Sequence, residues 1–88
     1  MYSKRVVLGN KLGLHARPAS EFVAVARNYE SSITVAHVGS DEPEVNGKNP
    51  MRLLSGSFYG GDEIEISAEG ADEREAVDSL VALVNSLG

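Results

Sequence analysis

Residues 13–20 read Gly-Leu-His-Ala-Arg-Pro-Ala-Ser and lead into a segment whose apolar residues recur at helical spacing. Positions i, i+3, i+4 and i+7 of that segment are Ala19, Phe22, Val23 and Ala26. This spacing predicts an amphipathic helix over residues 16–29. Proline is favoured in the first helical turn, where its missing N–H breaks no intrahelical hydrogen bond. The helix therefore begins beside His15, and its apolar face requires a surface to cover.

The rest of the chain supplies that surface. Alternating or β-branched segments predict four strands, and two further segments predict helices after Asn49-Pro50 and near the end. The predicted strands cover residues 2–8, 32–38, 44–48 and 62–68, and the two helices cover residues 50–57 and 71–87. The order βαββαβα predicts an α+β open-faced β-sandwich, with a four-stranded antiparallel sheet and three helices on one face. At 88 residues, the chain 1–88 is predicted to be a single domain.

Composition narrows the possible functions. The chain has no cysteine, which excludes disulfides and thiolate metal sites. It has no apolar run of membrane-spanning length and no signal-peptide pattern, so we expect a cytoplasmic protein that does not engage a membrane. The net charge of −5 argues against nucleic-acid binding. Residues 1–30 nevertheless carry five basic and two acidic side chains, which gives the segment around His15 a positive charge.

His15 and its neighbours predict phosphoryl chemistry. The start of a helix binds anions through its free N–H groups and its dipole, and a neutral imidazole nitrogen is a competent nucleophile. The N–H groups of Ala16 and Arg17 are available to phosphoryl oxygens, whereas Pro18 has no N–H. The Arg17 guanidinium adds charge-assisted hydrogen bonds. Gly13 allows a tight turn before the histidine.

The motif Gly13-Leu14-His15-Ala16-Arg17-Pro18-Ala19 resembles the active-site signature of HPr, the histidine-containing phosphocarrier family of the phosphoenolpyruvate-dependent phosphotransferase system. The resemblance extends over essentially the whole chain. It includes Phe22-Val23, Ile33-Thr34-Val35 and Ile66-Ser67-Ala68-Glu69-Gly70. It implies the same βαββαβα fold, and a single HPr-like domain over residues 1–88.

The resemblance also implies a function. HPr-like proteins accept a phosphoryl group from phosphorylated enzyme I on Nδ1 of the signature histidine, here His15, with the signature arginine, here Arg17, assisting. They pass it to the A domains of sugar permeases. The chain is therefore expected to be a carrier with a transient phosphohistidine and not an enzyme, with no cofactor and no bound metal.

Partner docking in this family uses the exposed side of the first helix and the apolar surface of the short second helix. The matching positions are Ser20, Ala24, Arg27, Pro50, Met51 and Leu54, with Phe58 as a further candidate. We expect Met51 and Leu54 to form a small apolar patch rimmed by Arg17, Arg27 and Arg52. Ala24 and Leu54 are less polar than in a typical sugar-branch carrier, which leaves a nitrogen-related or a dihydroxyacetone kinase branch open.

The chain departs from the family pattern at the start of the second helix. Many relatives carry a regulatory serine there, and Asn49 occupies the matching position. Asparagine caps a helix as well as serine does but accepts no phosphate, so we expect no regulation by an HPr kinase at this site. Ser55 and Ser57 fall toward the end of the helix, where a phosphate would oppose the dipole, and are predicted to be structural.

The hairpin over residues 38–48 is longer than in common relatives. Its acidic residues Asp41, Glu42 and Glu44 are predicted to form a solvated turn and not a metal site, because they lack the spacing of a calcium loop. His37 has no carboxylate neighbour at ligand spacing, and we expect a histidine at the edge of the core or on the surface.

Two other classes of function compete with a phosphocarrier. The first is a regulatory docking module that binds a transcription factor or an enzyme without carrying phosphate. The second is a stand-alone enzyme that uses His15 as an acid–base group. The intact set of His15, Arg17 and Pro18 argues against the first. The second lacks another catalytic histidine, a nucleophile elbow and a Walker-type loop.

Overall fold

A computed structural model describes residues 1–87. The strands are β1 (Tyr2–Val7), β2 (Ser32–His37), β3 (Val45–Asn46) and β4 (Glu63–Glu69). The helices are α1 (Ala16–Ala26), α2 (Pro50–Ser55) and α3 (Glu73–Ser86). This is the predicted order βαββαβα, and the predicted open sandwich of one antiparallel sheet and three helices is confirmed. None of the helices within the described residues is long and apolar enough to cross a membrane.

The four strands pair antiparallel in the order β1-β4-β2-β3. Ile66 of β4 lies opposite Lys4 of β1 on one side and Val35 of β2 on the other. Because side chains alternate along a strand, one face of the sheet is apolar and covered by helices, while the other is polar. Ser3 and Ser67 hydrogen-bond across that polar face at 2.8 Å. The helices consequently share one side of the molecule.

The predicted apolar stripes form the core. The stripe predicted for α1 and the apolar residues at matching spacing in β4 and α3 are almost completely inaccessible to solvent: Ala19, Phe22, Val23, Ala26, Ile64, Ile66, Ala68, Ala76, Val77, Leu80 and Val84. Leu83 and Leu87 are only partly buried and pack against this core. The first helix is thereby fixed on the sheet by its apolar face, with its N-terminus free at the surface.

Four predicted boundaries are wrong by more than one residue, and one of them is the start of α3, which begins at Glu73 and not at residue 71 because Asp72 is its N-cap. Helix α1 ends at Ala26, not at residue 29, because the N–H groups of Asn28 and Tyr29 bond to carbonyls only three residues back. Strand β3 is two residues long, because the chain turns immediately afterwards and the Asn49 N–H donates back to the Asn46 carbonyl. Helix α2 ends at Ser55, since Gly56 caps it and Ser57 has a φ of 58°.

Candidate functional site

The loop before α1 is held by three local contacts. Gly13 has a φ of +66°, and a Cβ there would clash with the carbonyl oxygen of Phe58. The Asn10 side chain donates from Nδ2 to the Gly13 carbonyl oxygen at 2.6 Å. The Leu14 N–H donates to the Phe58 carbonyl oxygen at 2.9 Å, and the Leu14 side chain is buried. These contacts fix the backbone that leads into His15.

His15 is the N-cap residue of α1. Its backbone is extended (φ −80°, ψ −171°), its side chain makes no capping hydrogen bond, and it is exposed. The N–H groups of Ala16 and Arg17 meet no acceptor among residues 1–87, and the first turn holds no acidic residue. The free donors and the positive end of the helix dipole favour an anion beside the imidazole.

Arg17 lies close to this helix start. Its guanidinium side chain is 87% exposed, and Nε lies 3.5 Å from Oε1 of Glu21, one helical turn further on. Such an exposed pair contributes little to stability, so the guanidinium is free to leave it for a stronger anion. His15, Arg17 and Glu21 line the same surface depression of about 420 Å³, together with Lys11. The depression therefore combines a nucleophilic nitrogen with two cationic side chains.

The positions assigned to partner docking lie on two neighbouring helices. Helix α1 contacts α2, and five of the six positions are exposed, while Pro50 is half-buried. Met51 is 72% exposed and Leu54 is 45% exposed, which leaves an apolar surface on α2. Phe58 was a further candidate, and this expectation is wrong. Phe58 is only 3% exposed, because it packs into the hydrophobic core and its ring stacks on His37.

Asn49 caps α2 as predicted. Its Oδ1 accepts hydrogen bonds from the N–H groups of Met51 (3.0 Å) and Arg52 (3.3 Å). Pro50 occupies the first helical position, where it removes no needed donor. The capping function of this position is thus performed by an amide side chain.

His37 lies at the edge of the core, as expected, with its side chain 17% exposed. Two carboxylates that are not at ligand spacing in the sequence nevertheless approach the ring in the folded chain. Nδ1 lies 3.5 Å from Glu42 Oε2, and Nε2 lies 3.6 Å from Asp62 Oδ2. Glu42 lies in the hairpin and Asp62 lies directly before β4, and the fold brings both carboxylates to the His37 ring. Even so, no group of three or more acidic, histidine or cysteine side chains within residues 1–87 is arranged to hold a metal ion.

Two contributors to the site were missed from the sequence. Asn10 clamps the turn, and an asparagine three residues before a glycine in a loop was an available signal for such a turn. The Phe58 carbonyl oxygen had no available signal, because its contact with Leu14 spans 44 positions of the chain and depends on the packing of two loops.

Comparison with known proteins places this geometry in context. Residues 2–86 match the family model PTS-HPr, described as "PTS HPr component phosphorylation site". The phosphocarrier protein HPr of Haemophilus influenzae is 40% identical over 87 residues, which cover 99% of each chain. The phosphocarrier protein NPr of Proteus mirabilis is 34% identical, covering 94% of this chain and 90% of that protein.

A solved structure has the same fold. The crystal structure of HPr-C-His from Thermoanaerobacter tengcongensis superposes with a TM-score of 0.91 at 40% identity. The match covers 99% of this chain and 94% of that one. This chain is thus similar to these phosphocarriers in sequence, and to the solved structure in fold, over nearly its full length.

Proposed function

The chain belongs to the HPr family of phosphotransferase-system phosphocarriers, and we propose that it carries the phosphoryl group on Nδ1 of His15. The observation that carries the proposal is the exposed His15 imidazole at the N-cap of α1, beside two backbone N–H groups that meet no acceptor in the described part of the chain. Relatives of this chain are phosphocarriers and not enzymes. An exposed reactive group suits a carrier, which must meet both a donor and an acceptor.

Phosphoryl transfer would proceed by in-line displacement. The Nδ1 lone pair of neutral His15 forms a bond to phosphorus while the bond between phosphorus and the donor atom breaks, and the donor keeps that electron pair. The Ala16 and Arg17 N–H groups and the Arg17 guanidinium then face the phosphoryl oxygens and stabilise their charge. The reverse displacement delivers the group to the next acceptor.

The proposed donor is phosphorylated enzyme I, and the proposed acceptor is the A domain of a permease or an equivalent protein. The docking surface would comprise residues in and next to α1 and α2, which are all exposed except the half-buried Pro50: Ser20, Ala24, Arg27, Pro50, Met51 and Leu54. The proposal takes residues 1–88 as one HPr-like domain acting in the cytoplasm, with no cofactor, metal, nucleic acid or membrane involved. Asn49 leaves the start of α2 without a phosphorylatable hydroxyl.

The test is phosphorylation by enzyme I and phosphoenolpyruvate, followed by intact-mass measurement. We expect the mass of one added phosphoryl group, lost on mild acid treatment and absent in His15→Ala. The chain has only one other histidine, so His37→Gln is the matched control and should retain the adduct. An acid-stable adduct, or an adduct that persists in His15→Ala, would contradict the proposal.

The same phosphorylated protein distinguishes the branches. Transfer to a sugar-permease A domain would support the sugar branch. Transfer only to a nitrogen-related acceptor, or only to a dihydroxyacetone kinase acceptor, would support the corresponding branch instead. A regulatory module that works without phosphate would instead bind its partners equally well as wild type and as His15→Ala.

A further inference from the structure

His37 occupies a position that connects the hairpin to the loop beneath His15. Its ring stacks on Phe58, with the ring centroids 4.3 Å apart and the planes inclined by 23°. Nε2 lies 3.1 Å from the carbonyl oxygen of Ser57. The ring is mostly buried, at 17% exposure, so water competes weakly for these contacts.

The charged groups around the ring make its contacts depend on protonation. Glu42 faces Nδ1 at 3.5 Å and Asp62 faces Nε2 at 3.6 Å, while Arg52 lines the same small cavity of about 170 Å³. A neutral imidazole has a single N–H. When that N–H is on Nε2 and donates to Ser57, the Nδ1 lone pair faces the Glu42 carboxylate. A protonated ring donates on both sides.

The segment that His37 holds is the one that supports the functional loop. Phe58 accepts the Leu14 N–H at 2.9 Å, and Asp62 Oδ2 accepts the Tyr59 N–H at 2.9 Å. Gly13 packs so closely on the Phe58 carbonyl that no side chain fits between the two loops. A displacement of residues 57–62 therefore moves the backbone immediately before His15.

We propose that His37 is a positioning residue for the His15 site, and that its protonated ring, held by Glu42 and Asp62, fixes the 57–62 segment against Gly13 and Leu14. The inference rests on the proposed function of His15 for its effect on transfer. It assigns a role to the long hairpin, because that hairpin supplies Glu42. That role is to hold the 57–62 segment against Gly13 and Leu14 more firmly when the His37 ring is protonated.

The first test follows the Leu14 amide by NMR in the His15→Ala variant, where His37 is the only remaining imidazole. Carboxylates titrate near pH 4, so changes between pH 5.5 and 8 isolate the histidine from them. We expect the Leu14 amide to shift with the same midpoint as the His37 ring protons. The shift should vanish when His37→Gln is added to this variant.

Two hairpin variants sharpen this test. Glu42→Gln removes the carboxylate that faces Nδ1 and should weaken the linked shift at Leu14. Glu44→Gln removes another exposed carboxylate of the same hairpin, one that forms no ion pair with His37 among the described residues, and should leave the shift at Leu14 unchanged. A Leu14 amide that does not follow His37 would overturn the inference.

The second test compares transfer rates from enzyme I across pH. We expect the ratio of the wild-type rate to the His37→Gln rate to be several-fold larger at pH 6 than at pH 8. His37→Phe keeps the ring packing without the charge and should behave like His37→Gln. A ratio independent of pH in both variants would contradict the inference. If wild type accepts no phosphoryl group, the proposed function fails, and the Leu14 titration decides the structural link alone.

Discussion

Asp72, the residue before α3, accepts hydrogen bonds through its carboxylate from both the backbone N–H and the hydroxyl of Ser31, the residue before β2. Its second oxygen accepts the Glu30 N–H at 2.9 Å. Ser31 is buried, and the Ser31 hydroxyl is the main reason why the pKa of Asp72 lies below its ordinary value. One carboxylate therefore joins the end of the α1–β2 connection to the start of the last helix.

This contact predicts a loss of stability in acid. Because the pKa of Asp72 is lower in the folded chain than in the unfolded chain, its contribution is present above about pH 4 and is lost as the pH falls through the folded value. Urea unfolding at several pH values should give a free energy of unfolding that declines less steeply in Asp72→Asn than in wild type. In Asp41→Asn, a variant of the exposed hairpin turn, the free energy of unfolding should fall with pH as it does in wild type. If it also falls as in wild type in Asp72→Asn, the Asp72 contact does not contribute to the pH dependence of stability.

Gly13→Ala should damage both the fold and the site. The substitution places a side chain at a φ of +66° and against the Phe58 carbonyl oxygen. We expect a loss of about 1–3 kcal/mol in the free energy of unfolding, and a slower transfer to His15 at temperatures where the protein is still folded. Gly39→Ala also has a positive φ but meets no neighbouring atom, and should cost less. Equal losses would show that the contact with Phe58 is unimportant.

Arg17→Gln should slow phosphoryl acceptance with little effect on stability. The guanidinium is 87% exposed, and its one ion pair is to Glu21 within the described residues. A charge-assisted hydrogen bond contributes about 1.5–3 kcal/mol, which corresponds to a rate decrease of about 10- to 100-fold. Stopped-flow transfer from enzyme I measures it. Glu21→Gln removes only the carboxylate that pairs with Arg17 and should not slow transfer. A comparable decrease in the transfer rate of Glu21→Gln would show that the loss in Arg17→Gln comes from breaking the ion pair.

Asn49 predicts a separation between capping and regulation. Asn49→Ala should lower the free energy of unfolding by about 1 kcal/mol, because two N–H groups of α2 lose their acceptor. Asn49→Ser should stay near wild-type stability while gaining a hydroxyl. We expect an HPr kinase to modify Asn49→Ser and not wild type. Modification of wild type on Ser55 or Ser57 would overturn the predicted absence of serine control.

The apolar surface of α2 predicts a docking defect. Leu54→Asp places a charge on an exposed side chain of this surface and should reduce kcat/KM for transfer from enzyme I while the unfolding temperature changes little. Val7→Asp alters a similarly exposed residue of β1 and is the matched control. Equal effects in both variants would remove the evidence that docking uses α2.

The predictable parts of this protein are those with a local cause. The buried stripe of α1, the Asn49 cap and the glycine turn before His15 all depend on residues a few positions apart, and the structure has each of them. The ends of α1 and β3 were wrong because turns interrupt both elements, and the chain after α1 is then held by bonds from the Glu30 and Ser31 N–H groups to the distant Asp72. Local periodicity carries no information about such bonds.

The sequence by itself determined the element order, the apolar faces and the histidine at a helix start, because spacing and capping act within a few residues. Only the tertiary structure decided what supports that histidine. Packing two loops brings Phe58 under Leu14 and buries a ring that had been expected to be available to partners. The hairpin and the start of β4 then place Glu42 and Asp62 beside His37. These contacts exist because the sheet closes segments far apart in the chain onto one another.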